Sequence, residues 1–308
     1  MTKTLKEQLQ SGEFITAPGV FDMISTLIAT KMNFPALYVT GYGVSASYMG
    51  LPDAGLMTFT DMETQLRKIV KATEKPIIAD ADTGYGGLLN VQHTVKAYEN
   101  LGVSAIQIED QEYPKKCGHT PGRRVIPTCD MVRKIKVAVD TRTKDDFLII
   151  ARTDSRTGLG IEEALSRAVA FEEAGADIIF VEAPETESEM KKINEVINKP
   201  TLANMVSGGK TPVFSSTKLA DMGYSVAIHP ALGFLAMGEA LKTAFTRLDA
   251  TGNVEGLPLA NFDEFSRVMG FEEVWNFEKN GQIDNHLSAF IFRFISLRIY
   301  ICLDRNTD

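Results

Sequence analysis

Leu148-Ile149-Ile150-Ala151-Arg152 is an apolar, β-branched run that ends in a charge. After a polar turn, residues 161–174 carry apolar side chains at helical spacing, Gly175 stops that helix, and Ile178-Ile179-Phe180-Val181-Glu182 is a second apolar run ending in a charge. Short strand, amphipathic helix and short strand in this order make a parallel βα unit. The unit recurs outward in both directions. Similar apolar runs occupy 14–20, 36–40, 76–80, 105–109, 201–205 and 225–229, and helical stretches occupy 62–72, 91–101 and 131–139. Gly102 and Gly223 supply further helix stops. Eight such units suit a closed barrel better than an open doubly wound sheet. The expected fold is therefore α/β, a (β/α)8 TIM-type barrel.

The 308 residues are 44 % apolar and 23 % charged, ordinary for a globular enzyme-sized chain. No linker or composition break divides the first 250 residues, so residues 1–258 are expected to form one catalytic barrel and residues 259–308 a C-terminal helical extension and tail. Within that extension 262–279 reads as two short helices, whereas 282–308 follows neither period and reads either as a segment packing on a neighbouring subunit or as a poorly ordered tail. The net charge of −8 argues against a nucleic-acid partner. Cys117, Cys129 and Cys302 form no CxxC pair, which disfavours a disulfide framework and a cysteine zinc site. Residues 1–14 lack the apolar stretch of a signal peptide, and the apolar 287–303 is short and carries Arg293 and Arg298. A cytoplasmic location with no membrane partner is expected.

In such a barrel the active site is built at the C-terminal ends of the strands. Those ends here carry Thr40-Gly41-Tyr42, Asp80, Asp82, Glu109-Asp110, Arg152, Asp154, Glu182, Asn204 and His229-Pro230. Asp80-Ala81-Asp82-Thr83-Gly84-Tyr85-Gly86-Gly87 leaves a buried strand and enters a glycine-rich loop, and if the strand continued its two carboxylates would point the same way. With Asp53 and Glu109 they make an oxygen donor set suited to Mg²⁺ or Mn²⁺; the bland alternative is that these acids cap helices or bind loop amides. The segment 114–124, Pro-Lys-Lys-Cys-Gly-His-Thr-Pro-Gly-Arg-Arg, is too rich in glycine and proline for a helix and reads as a lid over the barrel mouth. Its cations suit an anionic substrate and would lower the thiol pKa of Cys117, assisted by His119, although an exposed basic loop with an incidental cysteine would look the same. Arg152 can form a bidentate pair with a substrate carboxylate or an ion pair with Glu182. Asn204 and the backbone of 207–211 offer further donors, and no GxxxxGK[ST] stretch occurs. Cys129 reads as a packing or capping residue and His93 as a surface or helix-packing one. His286 has no assigned role, and four scattered histidines do not make a zinc site.

These motifs resemble the isocitrate lyase / phosphoenolpyruvate mutase superfamily over roughly residues 10–280. The carriers are Gly50-Leu51-Pro52-Asp53, the Asp80–Gly86 stretch, Ile108-Glu109-Asp110-Gln111, Lys115-Lys116-Cys117-Gly118-His119 and Ala151-Arg152-Thr153-Asp154. The KKCGH loop resembles the carbon–carbon lyase branch, which acts on 2,3-dimethylmalate and 2-methylisocitrate. The resemblance implies that Asp80 binds Mg²⁺ directly and that Asp53, Asp82 and Glu109 act mostly through metal-bound waters. It implies that Thr40, Gly41 and Tyr42 bind a substrate carboxylate, that Arg152 holds the 2-oxygen or a carboxylate with help from Glu182 and Asn204, and that Tyr38 helps deprotonate the substrate hydroxyl. Cys117, on the loop with Gly118 and His119, would protonate the departing enolate. The implied substrate is a small di- or tricarboxylate, cleaved to pyruvate and a second acid. The implied assembly is a homotetramer with a C-terminal helix exchanged between subunits, a geometry the unfamiliar tail 282–308 puts in question. Pro230 and the 204–212 segment resemble the lyases. Oxaloacetate hydrolase, carboxyvinyl-carboxyphosphonate phosphorylmutase and a non-catalytic carboxylate-binding homologue are the alternatives; Cys117 argues against the last, because binding alone needs no proton donor.

Overall fold

The computed structural model describes residues 3–280 except His119 and Pro121. Eight parallel strands form: β1 Ile15–Val20, β2 Leu37–Val39, β3 Ile77–Asp80, β4 Ala105–Glu109, β5 Leu148–Thr153, β6 Ile178–Val181, β7 Leu202–Asn204 and β8 Val226–His229. Each lies within two residues of its sequence-expected position. The pairing runs β6-β5-β4-β3-β2-β1-β8-β7, and a parallel bridge between Ile179 and Thr201 joins the two outer strands. The sheet therefore closes into the expected TIM-type barrel.

Side chains alternate across each strand, which sorts the chain into two layers of core. Ile15, Ala17, Tyr38, Ile78, Ala105, Ile150, Phe180, Leu202, Val226 and Ile228 pack together inside the barrel, with Leu5 of the N-terminal helix Leu5–Gln10 among them. Their strand neighbours Leu37, Val39, Ile77, Ile106, Ile149 and Ile179 face the surrounding helices. Truncating one of these buried aliphatics, Ile150→Ala for instance, is the kind of change that costs about 2–5 kcal/mol. The same alternation aims each strand's last inward residue at the barrel mouth. Register then fixes the neighbours: Asp80 pairs with Gln107, Glu109 with Arg152, and Arg152 with Phe180.

Helices on the outside start and stop where local chemistry dictates. Phe59–Lys71 begins with a Thr58/Asp61 capping box, and Leu88–Leu101 ends at Gly102, whose φ is +93°. The chain divides into two compact units after Asn253. The first contains the barrel and the helix Leu232–Thr251 that follows β8. The second contains two short helices, Phe262–Val268 and Phe271–Asn280, at the positions expected from sequence. The tail 282–308, with Cys302 and His286, lies outside the described residues. No helix among the described residues is long and apolar enough to cross a membrane.

Candidate active site

A cavity of about 280 Å³ opens at the C-terminal ends of the strands. Tyr38, Thr40, Tyr42, Asp53 and Asp80 line one side. Cys117, Gly118, Arg152, Glu182 and Asn204 line the other, with Pro230 and Phe234 at the far wall. Of the other expected site residues, Gly41, Asp82 and Glu109 lie behind this lining, and His119 lies outside the described residues.

The acidic set does not arise from a continuing strand. β3 ends at Asp80, whose Oδ1 accepts the Asp82 backbone N–H at 3.1 Å, and Asp82 turns into the left-handed region at φ +48°. The two carboxylates therefore do not share a strand face, which corrects the sequence expectation. Both are nevertheless buried, at 7 % and 3 % exposure. Asp80 Oδ2 also accepts the Gly41 N–H at 3.2 Å, and a Cβ on residue 41 would lie 2.7 Å from that oxygen, so only glycine allows the approach. Lys115 completes the group: its Nζ is 2.5 Å from Asp53 Oδ1 and 2.8 Å from Asp82 Oδ1. Burial pushes the Asp82 carboxyl up to about 7 against the pull of Lys115, and burial likewise holds Glu109 well above the usual carboxylate range. Burial alone would lower the Lys115 ammonium, yet Asp82 and Asp53 carry it well above its ordinary value.

Among the described residues no three His, Cys, Asp or Glu side chains come close enough together to cage a metal unaided. The set fits a different arrangement. Glu109 Oε1 is buried with no hydrogen-bond partner, and Asp82 Oδ1 has only its ion contact with Lys115. Hard oxygen donors with unused acceptor capacity suit Mg²⁺, which takes one or two carboxylates and keeps its waters. Asp80, facing the cavity beside Asp53, would hold the ion, with Asp82 and Glu109 behind them.

Arg152 is the cationic centre. Its Nε donates to Asp154 Oδ2 at 2.8 Å and its Nη2 to Asp154 Oδ1 at 2.9 Å. Glu109 Oε2 is 3.3 Å from Nε, Glu182 Oε2 is 3.2 Å from Nη2, and the guanidinium sits 5.0 Å from the Phe180 ring centroid. The sequence alternatives for Arg152 are thus compatible, since it pairs with Glu182 and still faces the cavity. Asn204 Nδ2 donates to Glu182 Oε2 at 3.1 Å, keeping that carboxylate in place.

The loop beyond β4 packs onto these groups. The Cys117 N–H donates to the Asp53 carbonyl at 3.1 Å, and the half-buried Cys117 lines the cavity. A Cβ on Gly118 would fall 2.9 Å from Glu182 Cδ and closer still to Arg152 Nη2, so the loop backbone lies directly against the cationic centre. Lys115, expected as a free attractor of anions, is instead 4 % exposed and held by Asp53 and Asp82.

The phosphoenolpyruvate phosphomutase family profile matches residues 5–248. The 2,3-dimethylmalate lyase of Eubacterium barkeri is 46 % identical over 278 residues, covering 90 % of this chain and 96 % of that protein. The chain belongs to the phosphoenolpyruvate mutase/isocitrate lyase superfamily. A 2-methylisocitrate lyase of Aeropyrum pernix is 38 % identical, with 87 % of each chain covered. Among solved structures of the superfamily, oxaloacetate acetylhydrolase in complex with the inhibitor 3,3-difluorooxalacetate matches with a TM-score of 0.87 at 30 % identity, covering 92 % of this chain and 98 % of that one. A 2,3-dimethylmalate lyase matches with a TM-score of 0.84 at 34 % identity, covering 91 % and 96 %. A phosphonopyruvate hydrolase complex with oxalate and Mg²⁺ matches with a TM-score of 0.80 at 28 % identity, covering 90 % and 97 %. The chain is accordingly an enzyme, a carbon–carbon lyase of this superfamily.

Within the superfamily barrel, several residues depart from the sequence reading. Gln107, not anticipated, is fully buried: its Oε1 accepts the Tyr38 hydroxyl at 3.0 Å and its Nε2 lies 3.5 Å from Asp80 Oδ1. Its position two residues before Glu109 was the available signal. Burial pushes the Tyr38 phenol well above its ordinary value, with Asp80 adding to the shift. His229, grouped with the strand-end residues, does not line the cavity; Ile228 does, and alternation turns its neighbour away. Cys129 is exposed beside Asp130, so it neither packs nor caps. His93 is exposed on its helix against Phe59, as expected.

Proposed function

We propose that this enzyme cleaves the C2–C3 bond of a 2-hydroxy dicarboxylate of the 2,3-dimethylmalate type, giving pyruvate and propionate, with Mg²⁺ as the divalent ion. The observation that carries the reading is that Cys117, Arg152 and Asp80 face one cavity, which joins a proton donor, an anion-binding cation and a metal-binding carboxylate. The 46 % identity to the Eubacterium barkeri lyase and the Mg²⁺ in the phosphonopyruvate hydrolase complex support substrate class and metal.

Bound at Asp80, the ion would supply positive charge beside the substrate's 2-oxygen and adjacent carboxylate, making the hydroxyl more acidic. Arg152 binds the carboxylate that its guanidinium faces, and Thr40, Gly41 and Tyr42 frame the same end of the substrate. Tyr38, a neutral phenol whose O–H donates to Gln107 Oε1, accepts a hydrogen bond from the substrate hydroxyl and orients it, and the hydroxyl proton leaves to water as the C2–C3 bond breaks. The electron pair from that bond passes to the departing acid as an enolate, and the Cys117 Sγ–H returns a proton to its C3 carbon. Burial of Arg152 in a low-dielectric pocket strengthens its hold on developing charge. His119, two residues after Cys117 in sequence, completes the proposed set.

Among the described residues lining the cavity the cations are Arg152 and Lys115, and Lys115 is already spanned by two carboxylates. The far wall is Pro230, Phe234 and Leu235, the Phe234 ring lying 4.9 Å from that of Tyr42. Apolar surface there suits a C3 methyl better than the third carboxylate of 2-methylisocitrate. An oxaloacetate hydrolase is the second reading, favoured by the 0.87 TM-score; Pro230 offers that chemistry no hydroxyl. We assign the enzyme to the cytoplasm and to a homotetramer with exchanged C-terminal helices. Exposed Leu241, Phe245 and Leu248 on the helix after β8 are the kind of surface such an assembly covers.

Proton NMR of separate incubations with Mg²⁺ tests the reading. Pyruvate with propionate from 2,3-dimethylmalate is the expected result. Pyruvate with succinate from 2-methylisocitrate alone moves the substrate, and acetate from oxaloacetate alone, with oxalate assayed in parallel, establishes the hydrolase. No product from any of the three overturns the assignment.

A further inference from the structure

Three carboxylates, from Asp154, Glu109 and Glu182, lie within 3.3 Å of the Arg152 guanidinium. One arginine facing three acids is a poor place to receive an anion, because the pocket's own charge opposes the ligand. A second cation corrects this from behind. Arg123 Nη1 donates to Asp154 Oδ1 at 2.6 Å, the same oxygen that accepts from Arg152 Nη2, and Arg123 Nη2 donates to Thr157 Oγ1 at 2.5 Å. The Arg123 side chain is 2 % exposed, so its charge is not screened by solvent, and it does not line the cavity. The Asp154 backbone is fixed independently, its N–H donating to Asp110 Oδ1 at 2.9 Å.

We infer that Arg123 is a positioning residue for Arg152, acting through Asp154. By taking part of the Asp154 charge it leaves Arg152 with more positive potential toward the cavity, and by fixing that carboxylate it fixes the plane of the Arg152 guanidinium. The inference rests on the proposed role of Arg152 in binding a substrate carboxylate.

Oxalate binding in the presence of Mg²⁺, measured by calorimetry, tests it without turnover. Arg123→Gln is expected to weaken oxalate about tenfold, while Arg123→Lys, which keeps the charge beside Asp154, stays within about threefold of wild type. In an Asp154→Asn background the Arg123→Gln change is expected to cost little more, because its route to Arg152 is already cut. In turnover, KM rises more than kcat falls. Equal losses for Gln and Lys, or full additivity with Asp154→Asn, would overturn the inference. Should Asp154→Asn fail to fold, the Gln/Lys comparison decides alone, with thermal melts confirming that both variants are folded. Arg152→Lys separates the two claims: oxalate binding that survives it removes the role of Arg152 itself, whatever Arg123→Gln does.

Discussion

Gly118→Ala adds one carbon where the loop backbone meets the cationic centre. That carbon would stand 2.9 Å from Glu182 Cδ and 3.0 Å from Glu182 Cγ, with Arg152 Nη2 nearer still. Carbon atoms pack at about 3.5–4.0 Å, so something must move by at least about 0.5 Å against Glu182 and by more against Arg152. Neither neighbour yields cheaply. Arg152 is pinned by two hydrogen bonds to Asp154, and Glu182 is held by Asn204 and Arg152. The backbone at Gly118 is not in the left-handed region, so alanine itself adopts it without strain. The displacement therefore falls on the loop, carrying Cys117 away from its substrate by about 1 Å, a misplacement that costs roughly a hundredfold in rate. The assay is initial-rate pyruvate formation from 2,3-dimethylmalate, with thermal melts as the control. A hundredfold fall in kcat/KM with an unchanged melting temperature is expected. Activity within threefold of wild type would show that the loop does not lie against Arg152 during turnover, and the packing argument would fail.

Cys117→Ser should lower turnover by about 10²–10⁴-fold, the usual contribution of a positioned proton donor, while leaving oxalate affinity within a few-fold; retained turnover would remove the thiol from the mechanism. Asp80→Asn keeps the shape of the side chain but loses its charge, so Mg²⁺ affinity by calorimetry should fall at least about tenfold along with activity. Unchanged metal affinity would place the ion elsewhere. Burial holds the His229 imidazole below its ordinary value. The unfolded chain therefore takes up this proton first, and stability should decline as pH falls below about 6.5. His229→Gln should remove that component, read as a smaller difference in melting temperature between pH 7.5 and pH 5.5; an identical difference in both proteins would refute it.

Barrel and mouth were legible because they depend on periodicity. An apolar run of four to six residues with a polar residue at its C-terminal end implies a buried strand whose last inward side chain faces the site. Asp80, Arg152, Glu182 and Asn204 all follow from that rule, whereas Tyr38 comes only from the family resemblance. It broke at two places, for separate reasons. After β3 the chain leaves the strand because the Asp80 carboxylate captures the Asp82 N–H, and a left-handed turn ends the alternation. At His229 the rule itself turns the side chain outward, and only its position at a strand end had suggested otherwise.

Pairings were not legible, because a charge in a sequence does not name its partner. Lys115 and Arg123 belong to one basic loop and read alike as attractors for an anion. In the fold each is buried against carboxylates, Lys115 between Asp53 and Asp82 and Arg123 on Asp154. Their effect on the site differs accordingly. Lys115 offsets charge in the acidic set proposed to hold the metal, whereas Arg123 offsets charge behind the arginine proposed to hold the substrate. Lys115→Met should therefore strengthen Mg²⁺ binding by leaving Asp53 and Asp82 uncompensated, whereas Arg123→Gln should weaken oxalate. Opposite signs from two cations on one loop follow only if these ion pairs persist in solution, and losses of the same kind from both would return the loop to a general attractor of anions.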